Sequence, residues 1–575
     1  MKRLQHEGHS FVTVVLPRFA KHILLCLEQG FWIDFDTSIR KRRGLPIIFS
    51  GYLKQLFSFT KNGYVVAPQP CPVALFAIRQ ACEYLYKLSI PYTQERLHDA
   101  SKGFIENEST VFKREDLDLR FVKKMRANFL RHYPTSANLC LEDFVSKAKS
   151  GPGTFVGSTS NYWVRKFESH QIIPELKHFK HMFRLNKNWN PASVCDSEED
   201  YAEVLFVPKD SRGPRVISRE PFNKLKFSMG FFYSLSKALE HDTRHRINFR
   251  SQEINQNLAR ESSIDGRFAT MDLKDASDRV SFALVRELFQ GLPHSSYIQK
   301  VRSKYAMLNG KKITLNKLAG MGSGLTFVTL ALVIHLAIVT YICDVKKISR
   351  YKDIAKLVYV YGDDIIVPSW MFTLAAEAVE KIGLKTNKSK SFFRGSFRES
   401  CGGDYLNGNS VSPVRLKLSS SGCDFGNIRG VAPSNDKIPN LVEELTAHYK
   451  ELVKAQLFKT AELIGDVLEK KLGPLPFVSD SSSIIGKYTP DASKIIIERH
   501  PDSTPKKKRF WVVQPLKADI TPFACPGRYL MTQLSKVASP WLLNIEQAAA
   551  FGITSIPKMQ CLRRRRLVTS DLNLD

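Results

Sequence analysis

Two rhythms of apolar and polar positions run along this chain. In the first, apolar residues return every three or four places, the spacing that gathers them on one face of a helix. It predicts helices over Val73 to Leu88, Asp116 to Tyr133 and Phe372 to Ile382. In the second, short runs of Val, Ile, Phe and Tyr are cut by Gly, Asn or Asp, as strands are. Val204 to Val207, Phe268 to Leu273, Leu357 to Tyr361, Ile365 to Val367 and Phe510 to Val513 follow this rule. Asn309-Gly310, inside Tyr305 to Leu315, is a favoured type I′ turn pair and predicts a hairpin. One run is apolar all round: Leu325 to Cys343, broken only by a few Thr and His335. Its length just reaches that of a membrane span. It follows directly on the loop-to-helix transition Gly320-Met-Gly-Ser-Gly324 and has large polar halves on both sides, so the expectation is a buried core helix and no membrane span. The N-terminus lacks the basic-apolar-small pattern of a signal peptide. No internal repeat is apparent.

The pattern matters most where it delivers carboxylates to strand ends. Asp363 and Asp364 fall between two β-rich runs, at a hairpin turn. Adjacent anions repel, which is costly unless a cation neutralises them, and hard oxygen ligands suit Mg²⁺ or Mn²⁺. Asp and Gly are also ordinary turn residues, so the pair alone does not decide. Well upstream, Asp272 stands near the end of the strand predicted over Phe268 to Leu273. A two-metal displacement draws its carboxylates from separate strands, which makes Asp272, Asp363 and Asp364 candidate metal ligands and catalytic residues. Asp275, Ser277 and Asp278 then read as loop and helix-start chemistry.

Composition adds a partner. The 575 residues suffice for three or four lobes, and a hydrophobic share of 43% with 11% aromatic supplies a large core. Lys and Arg outnumber Asp and Glu by 85 to 56, a net +29. That balance argues for a polyanion, nucleic acid first and acidic membrane second. Basic residues occur throughout, which suits a channel better than a tail. Lys209, Arg212, Arg215 and Arg219 recur every three or four positions, with Gly213 and Pro214 preventing a simple helix. Such cations can surround a triphosphate; a solvated basic loop is the plain alternative. Lys506 to Arg509 and Arg563 to Arg566 suit an RNA backbone or a solvated edge equally.

Other chemistry is weaker. The ten cysteines include no CxxC pair, so neither a disulfide framework nor a zinc ribbon is expected. His241 and His245 lack the Glu of a zincin motif. Gly322-Ser323-Gly324 with Thr326 offers small residues against which a base or ribose can lie, and hydroxyls for a sugar. It lacks the Lys-Ser/Thr ending of a P-loop. The lysine-rich stretch Lys385 to Phe393 includes Lys390 and can place a proton donor near a leaving pyrophosphate or simply contact phosphate. Ser150-Gly-Pro-Gly-Thr154 reads as a loop or lid. Residues 1 to about 200 show no catalytic constellation.

In order and spacing, these pieces resemble the motifs of viral RNA-dependent RNA polymerases, and more narrowly the replicase catalytic subunits of the small positive-strand RNA bacteriophages, the leviviruses. The strings that carry the resemblance are Val207-Pro-Lys, Arg219-Glu-Pro221, Ile254-Asn-Gln256, Asp272-Leu with Ala276-Ser-Asp278, Met321-Gly-Ser-Gly324, Tyr361-Gly-Asp-Asp-Ile-Ile366 and Phe397-Arg-Glu-Ser-Cys-Gly402. The resemblance runs from about residue 204 to 415. It implies an α+β right-hand polymerase: an N-terminal region, 1–203, adding to fingers and partner surfaces; fingers with the basic strip, 204–266; an antiparallel-sheet palm, 267–415, with room for a fingers insertion; and a thumb and C-terminal region, 416–575. It implies two Mg²⁺ ions, with Mn²⁺ as substitute, on Asp272, Asp363 and Asp364, and a triphosphate on Lys209, Arg212, Arg215 and Arg219. Asp278 and Ser323 fall at positions that sense the ribose, and Lys390 at that of a general acid. Two departures stand out: Ser323 where the phage pattern has Asn, and Val328 where family members carry an acid. The implied partners are single-stranded viral RNA, NTPs, host elongation factors Tu and Ts and the large RNA-binding ribosomal protein of the small subunit, in the host bacterial cytoplasm. A reverse transcriptase shares the strand Asp and the paired-Asp hairpin. A non-catalytic RNA-binding protein would explain the charge but not three carboxylates at this spacing.

Overall fold

The computed structural model describes residues 8–35, 39–61, 63–88, 91–149, 154–157, 173–174, 176–178, 200–418, 438–472, 475–480, 486–491, 509–515 and 562–568. Most of the loop predicted over 150–154, and all but the last residue of the basic run 506–509, lie outside them. The first hundred residues are mainly helical: α1 (Leu16–Gln29), α2 (Pro72–Glu83) and α3 (Gln94–Ser109), followed by α4 (Leu119–His132). The helices expected over 73–88 and 116–133 are present but shorter. The latter starts at Asp118, whose carboxylate accepts the N–H groups of Arg120 and Phe121, as an N-cap does.

The middle of the chain carries β1 (Tyr201–Asp210) and β2 (Gly213–Arg219), then α5 (Phe222–Asp242), α6 (Glu253–Asp265), β3 (Phe268–Met271) and the single turn α7 (Ala276–Arg279). The predicted Asn309-Gly310 hairpin forms as β4 (Tyr305–Leu308) and β5 (Lys311–Thr314), with φ of 49° and 78° at the two turn residues. Helix α8 (Gly324–Lys346) follows, then β6 (Tyr359–Tyr361), β7 (Asp364–Pro368), α9 (Phe372–Glu380), β8 (Phe397–Ser400) and β9 (Gly403–Leu406). Beyond them come α10 (Ile438–Lys454), α11 (Phe458–Leu472) and a pair of antiparallel strands, β10 (Arg509–Pro515) and β11 (Leu562–Val568).

Two sheets organise this mixed helix-and-sheet fold. One runs in the order β2-β1-β4-β5, with only the β1–β4 pairing parallel. The other is antiparallel, β6-β7-β3. Behind the second lies α8, whose residues from Leu325 to Ile342 are almost all buried against α4, α5, α9 and the sheet. Enclosure on every side removes the need for a polar face, so the run of membrane-span length is a core helix, 89% of it buried. Val328 is wholly enclosed there, where a carboxylate would need a buried partner.

A second core joins distant parts of the chain. Phe19, Ile23, Leu27, Leu75 and Ile78 of α1 and α2 pack with Phe392, Phe397, Leu406 and Val411. Polar contacts follow the same seam. Glu28 accepts the backbone N–H groups of Phe393 and Arg394, both at 2.9 Å. Arg79, buried in α2, ion-pairs with Asp404 at 2.8 Å and donates to the Val411 carbonyl at 3.0 Å. The N-terminal helices therefore grip the strands that follow the acidic hairpin.

Candidate active site

The acidic residues meet because of strand register. β7 pairs antiparallel with β3 through Ile365↔Met271 and Ile366↔Thr270, so one more step sets Asp272 opposite Asp364. Tyr361↔Asp364 closes the β6–β7 hairpin over Gly362 and Asp363. Gly362 has φ 63°, and a Cβ there would collide with the Phe327 ring of α8. Positive φ and the absence of a side chain are thus both required at this turn. Asn255 of α6 donates to the Asp364 carbonyl at 3.5 Å, and Gln256 to that of Cys401 at 2.9 Å. These contacts give the string Ile254-Asn-Gln256 a physical role: α6 holds the acidic turn against the β8–β9 turn.

The carboxylates act on one another. Burial, then the neighbouring Asp363, pushes the Asp364 carboxyl up to about 6, with Asp272 adding to the effect. Asp272 is also raised, by burial first and Asp363 after it, while Lys390 and Asn387 pull the other way. The Asn387 amide donates to Asp272 Oδ2 at 2.7 Å, and Lys390 Nζ lies 3.7 Å from the same oxygen. Burial opposes the charge on Lys390, but Glu399, Asp272, Asp364 and Asp363 together hold its pKa above the ordinary value. Glu399 itself is pushed up to about 7 by burial and Asp404. Its place beside Lys390 was hidden in the string Phe397 to Gly402, where only its identity was visible.

These oxygens fit a divalent cation by chemistry: hard donors, mutually repelling, with Asp272 and Asp364 partly buried and Asp363 exposed at the turn. They are not closed into a cage, since among the described residues no three acidic, His or Cys side chains stand at metal-ligating spacing. Mg²⁺ is therefore expected to stabilise the fold near neutral pH by about 2.7 kcal/mol at a hundredfold excess over Kd, read as a higher melting temperature. Thermal unfolding with Mg²⁺ and with chelator checks this; an unchanged midpoint would argue against the site.

The basic strip forms the β1–β2 hairpin. Its tip is clasped by the N-terminal region: Tyr86 donates its hydroxyl to Asp210 at 2.9 Å, Tyr92 donates to the Asp210 carbonyl at 2.9 Å, and Ser211 to the Thr13 carbonyl at 2.5 Å. Arg212 ion-pairs with Asp210 at 3.0 Å. Lys209 has its pKa lowered by burial, then by Arg215, with Lys390 and Arg212 contributing. Of the strip, Lys209 is the residue that feels Lys390, which itself lies 3.7 Å from Asp272. Arg219 stands apart, paired with Glu203 further along the hairpin.

The ribose candidates are placed differently from the expectation. Ser323 caps α8, accepting from the Leu325 N–H, and Thr326 donates to the carbonyls of Ala319 and Gly320 at 3.4 and 3.1 Å. Both are nearly buried. The close approach expected of a base or ribose at the glycines is taken by protein: Gly320 and Gly322 lie against Ser218, and Gly324 against the Ser228 backbone. Asp278 binds Lys317 Nζ at 2.8 Å, a fully buried lysine that also lies 3.5 Å from Glu108. His241 is exposed and His245 follows the end of α5. The six described cysteines are all free.

Carboxylates gathered at a strand end and turn, with a lysine 3.7 Å from Asp272, have the chemistry to hold a divalent cation and phosphate groups. Residues 191–420 match the family model described as RNA replicase, beta-chain. The chain is 35% identical to the RNA-directed RNA polymerase subunit beta of Qbeta virus (strain MX1) over 38% of this chain and 36% of the relative. With the RNA-directed RNA polymerase beta chain of Escherichia phage MS2 the identity is 35%, over 41% of each chain. For that of Enterobacteria phage fr it is 33%, over 46% of this chain and 47% of the relative. The matched segment thus spans less than half the length of each of these relatives. Among solved structures, the BmCPV RNA-dependent RNA polymerase at elongation state aligns with a TM-score of 0.39 and 9% identity over 60% of this chain and 33% of that one, a likeness on which nothing here rests.

Proposed function

We propose that this protein is the catalytic subunit of a phage RNA replicase, an RNA-directed RNA polymerase that transfers nucleoside monophosphate from NTP to an RNA 3′ hydroxyl. The observation that carries the reading is the register that sets Asp272 opposite Asp364 at the acidic turn, with Lys390 3.7 Å from Asp272. In this reading the chain is a right-hand polymerase: β6-β7-β3 is the palm sheet, the β1–β2 hairpin belongs to the fingers, and α10 and α11 to the thumb. Asp272, Asp363 and Asp364 would hold two Mg²⁺ ions, or Mn²⁺ in their place. When bound, such ions supply charge stabilisation and a lowered pKa for the attacking hydroxyl.

The chain's own residues position the reactants. Asn387 fixes one oxygen of Asp272. Lys209, Arg212 and Arg215 receive the triphosphate, where positioning and electrostatic stabilisation do most of the catalytic work. Arg219, paired with Glu203, supports that surface from behind. Lys390, kept protonated by its carboxylate neighbours, donates a proton to the departing pyrophosphate. Asp278 keeps one carboxyl oxygen beyond its bond to Lys317 and accepts the ribose hydroxyl, with Ser323 and Thr326 shaping the loop beside it. The template is single-stranded viral RNA in the bacterial host's cytoplasm. Elongation factors Tu and Ts and the large RNA-binding ribosomal protein are the partners this reading implies.

Purified protein, given a short RNA, Mg²⁺ and NTPs with the host factors present, is expected to incorporate NTP in preference to dNTP. Preferential dNTP incorporation would mark a reverse transcriptase, and RNA binding without incorporation a packaging protein. Within this frame, Arg215→Glu is expected to raise the NTP KM roughly tenfold or more, the scale of one charge-assisted contact, with kcat less affected. An unchanged KM would remove Arg215 from the triphosphate site.

A further inference from the structure

The first hundred residues contain no recognisable catalytic motif, yet they deliver charge to the site. Lys21 lies on α1, half-buried, with its ammonium 5.6 Å from the centre of the Tyr86 ring. The Arg212 guanidinium lies 5.1 Å from the same ring. Tyr86 uses its hydroxyl to hold Asp210, which already carries Arg212. One aromatic ring and one carboxylate therefore organise cations arriving from two distant segments. Among the described residues Lys21 has no ion-pair partner. Glu83, the other nearby acid, is committed to Arg79 at 3.0 Å and to Arg415.

The charge balance is what demands a ligand. Lys21 faces Arg212 and Lys390 at once. Lys209 faces Arg215, Lys390 and Arg212, and Lys87, half-buried beside Tyr86, faces Arg415, Lys417 and Arg215. Burial, then Arg212 and Lys390, pushes the Lys21 ammonium down to about 8. Like charges gathered in a desolvated place are unfavourable in the free protein. They become favourable when a polyanion enters, because charge-assisted bonds to phosphate oxygens then replace repulsion. The position between the basic hairpin and Lys390 suits a phosphate chain running from the strip towards the carboxylates.

We infer that Lys21, set against the Tyr86 ring with Arg212, is a ligand for the triphosphate of the incoming nucleotide, so that the N-terminal helix α1 completes the phosphate site. This assignment rests on the polymerase reading above but adds a residue from outside the 191–420 segment shared with the replicase family. It also explains why α1 is bolted to the strand-bearing part of the chain through Glu28: a phosphate ligand must be held at fixed distance from the acidic turn.

The test uses the full chain and two readouts. Inorganic triphosphate with Mg²⁺ is titrated into wild type, Lys21→Met and Lys21→Arg, following the melting temperature; NTP incorporation is measured in parallel with the host factors. Lys21→Met is expected to weaken triphosphate binding roughly tenfold, the scale of one charge-assisted hydrogen bond, and to raise the NTP KM by a similar factor. Lys21→Arg should restore most of both. Without ligand, Lys21→Met should melt no lower than wild type, since it removes a repelled charge. Triphosphate affinity and KM unchanged in Lys21→Met, with wild type active, would overturn the assignment and leave the polymerase reading standing. A lower ligand-free melting temperature with unchanged affinity would make Lys21 structural, again overturning it. Wild type that neither binds triphosphate nor incorporates NTP would sink both.

Discussion

Asp364→Asn is expected to lose activity and gain stability together. Removing one preorganised electrostatic partner costs on the order of 10²-fold or more in rate, read as single-nucleotide incorporation. Stability moves the other way. The folded carboxyl titrates at about 6, above its ordinary 3.8, so folding favours the protonated acid. The ionisation cost is absent below pH 3.8 and grows as pH rises through 6. Near neutral pH the amide is therefore expected to be the more stable side chain, by up to about 3 kcal/mol at 1.36 kcal/mol per pKa unit. The advantage should vanish towards pH 4. It should also shrink when Mg²⁺ is added, because only the wild type regains its full cation site. Thermal unfolding from pH 4 to 8, with and without Mg²⁺, reads all three effects. An Asn variant with wild-type incorporation would remove Asp364 from the catalytic set, and one that is less stable near neutral pH would contradict the repulsion among the three acids.

Legibility in the sequence followed the range of the interactions. Elements fixed by neighbours were readable: the Asn309-Gly310 hairpin from its turn pair, the start of the helix that Asp118 opens to within a few residues, and the acidic turn from Gly362 between two apolar runs. Helix α8 was readable as core because its enclosure leaves no polar face. The three carboxylates were legible as a set because each sits at a strand end, although register, not spacing, makes Asp272 meet Asp364. The basic strip was visible as charge, but its division was not: Arg219 is bound to Glu203 while Lys209 feels Arg215 and Lys390. Ser323 and Thr326 were read as ligand-facing hydroxyls, whereas their bonds go to the α8 N-terminus and the preceding loop. Nothing local distinguishes a hydroxyl that caps a helix from one that waits for a sugar. The N-terminal contribution was invisible for the same reason. Lys21, Glu28, Arg79 and Tyr86 act on residues far along the chain, and a single sequence gives no sign of such pairings.

The second large effect concerns the support of Asp272. Arg398 is completely buried, donating Nε to the Phe268 carbonyl at 2.8 Å, Nη1 to that of Phe397 at 2.8 Å and Nη2 to that of Phe393 at 3.4 Å. Phe268 opens β3 and stands opposite Pro368 in the register. Ser369 donates to the Arg267 carbonyl at 2.9 Å, so in the alternating ladder the Phe268 carbonyl points away from β7, and the guanidinium supplies its donor there. Burial lowers the Arg398 pKa, while the charges of Glu28 and Asp265 act to raise it. Arg398→Leu keeps bulk but strands buried carbonyls, each costing about 1–3 kcal/mol; relief from burying a charge offsets part of this. The expected net loss is about 3 kcal/mol, read as a lower urea midpoint at unchanged slope. Arg398→Lys should recover little, because one ammonium cannot span acceptors arranged for a planar fork. The same variant should lower incorporation, since β3 carries Asp272 at its other end and Thr270, between them, is held to the Phe392 backbone by bonds of 2.9 and 2.8 Å. Full stability in Arg398→Leu would show that the carbonyls find other donors, and the strand that presents Asp272 would then owe its position to the β7 pairing and the Thr270–Phe392 bonds.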